Sequence, residues 1–197
     1  SDGMFAIVFT LLVIEIKVPE VHGLLSSTEL WHRLVDLGPL FIAYVASLIV
    51  LSMFWLSHNF LYSFFVKEIN RELVLLNLLY LGGVTLIPFT AHLIGQYPET
   101  PLALFLYGLN ILFIGGVHVG IIFYTQHSKE FDTAHITPRL LKQAKIRANL
   151  TVIFTLLGLG AAIIYTPLAI VLYAFPILFN IIPGTLNALE RFFGFEI

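Results

Sequence analysis

The sequence predicts an all-α polytopic membrane protein with six membrane-crossing helices. Three observations carry this reading. Of 197 residues, 58% are Ala, Val, Ile, Leu, Met, Phe, Trp or Tyr and 11% are charged, more apolar surface than a water-soluble domain of this size can bury. The apolar residues fall in long runs, and about 20 such residues cross a ~30 Å hydrocarbon core at 1.5 Å per residue. The basic residues collect on alternate connections, as they do when one side of a bilayer retains Lys and Arg.

The first run, 3–18, ends at Lys17 and Pro19 and is short. The chain opens at Ser1-Asp2 without an initiator Met, so residues are expected to precede it; no cleavable signal peptide follows. The second run is 39–65, the third 72–96 and the fourth 102–124. From 148 to 189 the chain is almost uninterruptedly apolar, and 42 residues in one helix would be about 63 Å long, twice a bilayer. It must fold back, and Tyr165-Thr166-Pro167 is the expected break because proline cannot continue a helix interior. The last two spans are therefore 148–165 and 168–189, and residues 1–197 form a single six-helix transmembrane domain.

Between the first two runs, Ser27 or Thr28 is expected to cap a short interfacial helix reaching Leu37, with Trp31 at headgroup level. Thr137 and Pro138 form an N-cap and N1 pair, after which Arg139, Lys142 and Lys145 recur every third residue. These read first as a basic anchor for the fifth span, and second as a contact for anionic lipid. Of the ten basic residues, Lys67, Arg71, Lys129, Arg139, Lys142, Lys145, Arg147 and Arg191 fall on one side and Lys17 and Arg33 on the other, an eight-to-two split. Both termini are accordingly expected in the cytoplasm.

The net charge of −2 lacks the basic excess of a nucleic-acid binder. The absence of cysteine removes disulfides, thiolate metal sites and thiol nucleophiles. No nucleophile elbow, zinc-protease helix, phosphate loop or dinucleotide fingerprint is present, so neither an enzyme nor a cofactor is expected. No Thr-Val-Gly-Tyr-Gly segment offers a carbonyl-lined filter, no span repeats Arg every third residue, and no motif is shared between the two halves.

Polar residues inside spans then carry the functional reading, because lipid makes them expensive. In the first span Ile7, Thr10, Leu11 and Ile14 share one helical stripe, which in a monomer reads as core packing. Asp2, His58 and Asn77 lie toward one side of the membrane. They are expected to form a small network in which a buried Asp is hydrogen-bonded or paired with protonated His, with His58 and Asn77 serving as interhelical glue. His92 and His118 are singletons, expected to be satisfied or interfacial. Gly116 and Gly120 read as a helix-packing pair. Pro176 and Pro183 are expected to kink the last span, with Asn180 satisfying freed backbone groups.

The opening Ser1-Asp2-Gly3-Met4-Phe5-Ala6-Ile7 through Val18-Pro19 resembles the first span of the prokaryotic transmembrane protein 175 family, whose signature is Arg, three residues, then Phe-Ser-Asp. Here Ser1-Asp2 match its end. Trp55-Leu56-Ser57-His58-Asn59, Asn77-Leu78-Leu79-Tyr80 and Ile87-Pro88-Phe89 are similar to the family's second and third spans. The resemblance implies a potassium-permeable, potassium-selective cation channel, a relative of the lysosomal potassium channel, built as a homotetramer with the first spans around a central pore. It implies hydrophobic rings at Ile7, Leu11 and Ile14 with the Thr10 hydroxyl beside them, no metal beyond permeating K⁺, and a structural role for Ser1 and Asp2 bonded to Trp55, His58 and Asn77. One six-span unit per chain implies a prokaryotic plasma membrane. Two other readings stay open on the residues alone: a proton-coupled secondary transporter using Asp2, His58 or Glu15, and a non-conducting membrane scaffold.

Overall fold

A computed structural model of the chain describes residues 1–18, 26–66, 69–128, 137–182 and 184–185. Among these the regular structure is entirely helical: α1 (Asp2–Ile14), α2 (Ser27–Asp36), α3 (Gly38–Phe65), α4 (Arg71–Thr85), α5 (Ile87–Gln96), α6 (Pro101–His127), α7 (Pro138–Ile164) and α8 (Thr166–Ile181). Four stretches are long and apolar enough to cross a membrane: Gly38–Phe64, Arg71–Gln96, Pro101–His127 and Pro138–Ile164.

The outer two of the six expected spans are shorter than a full crossing. Helix α1 has 13 residues, about 20 Å, and stops at Ile14 rather than Val18. Glu15 and Lys17 bring charge to this end, and Pro19 disfavours helix at Val18, the last residue of the expected span. Helix α8 has 16 residues, about 24 Å, and its C-cap Ile182, which precedes Pro183, is extended at φ −74°, ψ 121°. The expected end of this span at 189, Pro183, Lys67, Lys129 and Arg191 lie outside the described residues.

The fold-back falls where the sequence places it. Tyr165 is extended between α7 and α8, with Pro167 in the first turn of α8, where a missing N–H costs nothing. The helix that holds the fifth span begins at the expected Thr137-Pro138 pair: the Thr137 hydroxyl accepts from Leu140 N at 3.4 Å, and one helix carries both the basic turns and the apolar run. The third span is broken at Leu86, whose N–H turns back to the Gly83 carbonyl at 3.1 Å, and α5 restarts with Pro88 in its first turn. The interfacial helix α2 is capped one residue before the expected position, by Ser26, whose hydroxyl accepts from Glu29 N at 3.2 Å. Trp31 on it is exposed.

Helix α1 packs on α3, α4 and α5, while α6, α7 and α8 form the other side of the bundle. Tyr80, Phe5, Leu12, Leu51, Leu73 and Ile114 are among the largest wholly buried side chains. The close helix approaches are not at Gly116 and Gly120, where an added methyl group would meet nothing within 4 Å. They are at Gly83, Gly95, Gly108 and Gly158, of which the last two flank the Tyr173 ring so tightly that a Cβ at either would overlap it. The Tyr173 hydroxyl donates to the Leu104 carbonyl at 3.3 Å. In α8, the Asn180 amide donates to the Pro176 carbonyl at 2.7 Å. The carbonyl that Pro176 leaves without its helical donor belongs to Leu172, so Asn180 serves a different backbone group from the expected one.

Candidate functional site

The first turn of α1 is tied to two neighbouring helices. Trp55 Nε1 on α3 donates to Asp2 Oδ1 at 3.1 Å. On α4, the Asn77 amide lies within 3.3–3.4 Å of the Ser1 hydroxyl, and its Oδ1 is 2.8 Å from His58 Nε2. A carbonyl oxygen only accepts, so Nε2 is the protonated nitrogen of His58. The five residues Ser1, Asp2, Trp55, His58 and Asn77 are therefore brought together at one end of the bundle. The pairing differs from the expectation in one respect: Asp2 is exposed and bonded to the indole, while the buried imidazole takes the amide. Burying a carboxylate would require far more compensation than burying a neutral ring, so the charge stays at the rim.

The surroundings of His58 explain its burial. Its ring stacks between Tyr62, 4.4 Å away between centroids, and Tyr80, 5.1 Å away. Phe5 of α1 tilts onto both His58 and Tyr80. The Tyr80 hydroxyl donates to the Phe54 carbonyl at 2.9 Å. Sequence reasoning named His58 and Asn77 but gave Phe5, Tyr62 and Tyr80 no role. The signal was their spacing, since Tyr62 follows His58 by four and Tyr80 follows Asn77 by three, which sets each pair on one helix face.

Beyond its first turn, α1 buries Phe5, Val8 and Leu12 against the bundle. A residue two positions on is rotated by about 200°, so Ile7, Thr10 and Ile14 fall on the opposite side. Ile7 is 56% exposed, Leu11 41% and Ile14 64%, and Thr10 is exposed with them. The stripe is thus not the core of this chain, against the packing reading that the pattern alone supports. The Thr10 hydroxyl donates to the Ile7 carbonyl at 2.7 Å, which leaves its oxygen able to accept.

Two histidines also depart from expectation. His92 Nδ1 on α5 lies 3.3 Å from Glu15 Oε2, joining the far end of α1 to its neighbour without the alignment of a hydrogen bond. His118 on α6 is buried against Tyr80, and its Nδ1 has no partner. Among the described residues no group of three or more His, Asp or Glu is placed to hold a metal ion.

The family model described as "Endosomal/lysosomal potassium channel TMEM175" matches residues 1–88, which hold α1 to α4 and so the whole network and stripe. A protein of Streptomyces collinus named as a potassium channel is 39% identical over 97 residues, 49% of this chain and 45% of that protein. One from a Chryseobacterium species, also named as a potassium channel, is 29% identical over 188 residues, 93% of this chain and 90% of that protein. The crystal structure of a lysosomal potassium-selective channel TMEM175 homologue from Chamaesiphon minutus superposes with TM-score 0.77 at 25% identity, covering 90% of this chain and 91% of the other. The chain is similar to the TMEM175 family. TMEM175 likeness therefore extends past α4, where the family model stops, through the α6–α8 half of the bundle. Within it, the chain is a multi-pass membrane protein with ion-channel relatives and no enzyme relatives among those described.

Proposed function

We propose that this chain is the subunit of a potassium-permeable, potassium-selective channel of a prokaryotic plasma membrane. Four copies place α1 around a central pore, α1 and α8 complete six spans within the assembly, and both termini are cytoplasmic. The observation that carries the reading is the two-sidedness of α1. One face and the first turn are fixed to α3, α4 and α5, while Ile7, Leu11 and Ile14 present an apolar stripe to no partner among the described residues. Bacterial relatives named as potassium channels and a potassium-selective structural neighbour support the same assignment.

In the assembled pore each stripe residue becomes a ring of four apolar side chains. Such a ring offers no oxygen ligands, so an ion passes only by shedding part of its water, and K⁺ releases water more readily than Na⁺. Selectivity is accordingly modest, because a hydrophobic ring penalises dehydration without replacing the shell as carbonyls do. Thr10, one helical turn from Ile7, supplies a hydroxyl oxygen near the constriction.

The chain has no cysteine, which gives a clean background for accessibility mapping. Ile7→Cys, Leu11→Cys and Ile14→Cys are expected to make the current sensitive to Cd²⁺ or to a thiol-reactive cation, and Val8→Cys is not. Block at Val8→Cys, with none at the three stripe positions, would place a different face of α1 in the conduction path.

A further inference from the structure

Between α3, α6 and α7, with the end of α8 at one side, lies a cavity of about 530 Å³. This is the size range of cavities that hold small ligands. No residue of α1 lines it, so it is distinct from the stripe. Phe54, Ile122 and Leu140 contribute apolar wall.

Two polar side chains in the wall are out of keeping with inert packing. His118 is only 8% exposed and its Nδ1 has no hydrogen-bond partner. That nitrogen is sealed from the cavity, and it is the rest of the His118 ring that borders it. Arg147 is the second. Its Nη1 donates to the carbonyls of Phe179 at 3.3 Å and Asn180 at 3.1 Å, and its Nη2 lies 3.5 Å from the Thr185 hydroxyl. All three partners are neutral, and among the described residues no carboxylate comes within ion-pair distance of it. A guanidinium at the edge of an apolar cavity, without a counter-ion, attracts an anion that brings its own apolar body.

We propose that this cavity binds a single-chain amphiphile with an anionic head, carboxylate or phosphate. Arg147 supplies the charge, and the chain lies against Phe54, Ile122 and Leu140. The site does not touch the stripe and its test needs no ion flux, so it stands or falls apart from the channel reading.

The test is photolabelling of the purified full chain with a 12-carbon fatty acid carrying a diazirine on its chain, mapped by peptide mass spectrometry. Saturable labelling is expected on the cavity wall. A tenfold excess of laurate or dodecyl phosphate displaces it, whichever of the two succeeds identifying the head, and dodecanol does not. Arg147→Gln and Ala144→Phe, the second filling the cavity while leaving every polar group in place, are each expected to reduce labelling at least fivefold. If Arg147→Gln does not fold, Ala144→Phe decides. The proposal is overturned by unsaturable labelling spread over outward residues such as Leu78, Phe89 and Ile164, by equal displacement with dodecanol, or by full labelling of Ala144→Phe.

Discussion

At the scale of single residues, the order of the hydrogen bonds in the α1 anchor makes unequal predictions for its members. Asn77→Ala strips the buried His58 Nε2–H of its acceptor at 2.8 Å, and an unsatisfied buried donor costs about 1–3 kcal/mol. His58→Phe removes donor and need together and keeps a ring between Tyr62 and Tyr80, so it should cost less. Thermal unfolding in detergent, followed by loss of the oligomer on size exclusion, checks the ranking; a larger loss for His58→Phe would mean that the ring contributes more than packing. Asp2→Ala loses the indole bond at an exposed rim, and we expect weaker assembly at unchanged ion selectivity. A folded oligomer with altered selectivity would contradict that role. The identities of these residues were legible in the sequence because polar groups in lipid must find partners. Their pairing was not, since Trp55 and His58 share one face of α3 and which of them meets Asp2 depends on a shift of about 4.5 Å along the helix axis. The burial of His118 was illegible for a stronger reason: it depends on Tyr80 of α4, a helix distant in sequence, packing against α6.

At the scale of elements, glycine separates two kinds of helix surface. Gly158→Ala is expected to destabilise the α7–α8 hairpin by about 1–3 kcal/mol, because its Cβ would enter the Tyr173 ring. Tyr173→Leu should recover part of that loss. Gly116→Ala meets open space and should be neutral or stabilising by up to about 1 kcal/mol through helix propensity. Unfolding midpoints of the three variants test the contrast, and a loss at Gly116→Ala would reveal a neighbouring copy seated there. Two helix ends marked by proline were read correctly, the Thr137-Pro138 start and the Tyr165-Pro167 break, where proline sits in the first turn and its missing donor costs nothing. The same marker at Pro88 was passed over, and the third span was carried through it. Hydropathy carried the first span to Val18, where the helix itself stops at Ile14, and at the fifth it marked the apolar run from 148 but not the helix, because good helix formers such as Arg and Lys do not count as apolar.

At the scale of the whole molecule, the account turns on which way α1 faces. A stripe at helical spacing was visible in the sequence, but spacing cannot say whether the stripe meets its own bundle, lipid or another copy. The fold supplies the first part of that answer by seating Phe5, Val8 and Leu12 inward and leaving Ile7, Leu11 and Ile14 out. The most direct measurement is the reversal potential of the purified protein in a planar bilayer, with K⁺ on one side and Na⁺ on the other, for wild type and Ile7→Asn together. The account predicts a wild-type reversal displaced toward the K⁺ equilibrium potential, and a larger, less selective current in Ile7→Asn as the ring becomes wettable. Identical reversal potentials and currents in the two proteins would remove Ile7 from the conduction path, and no passive current from intact oligomers would contradict the channel itself.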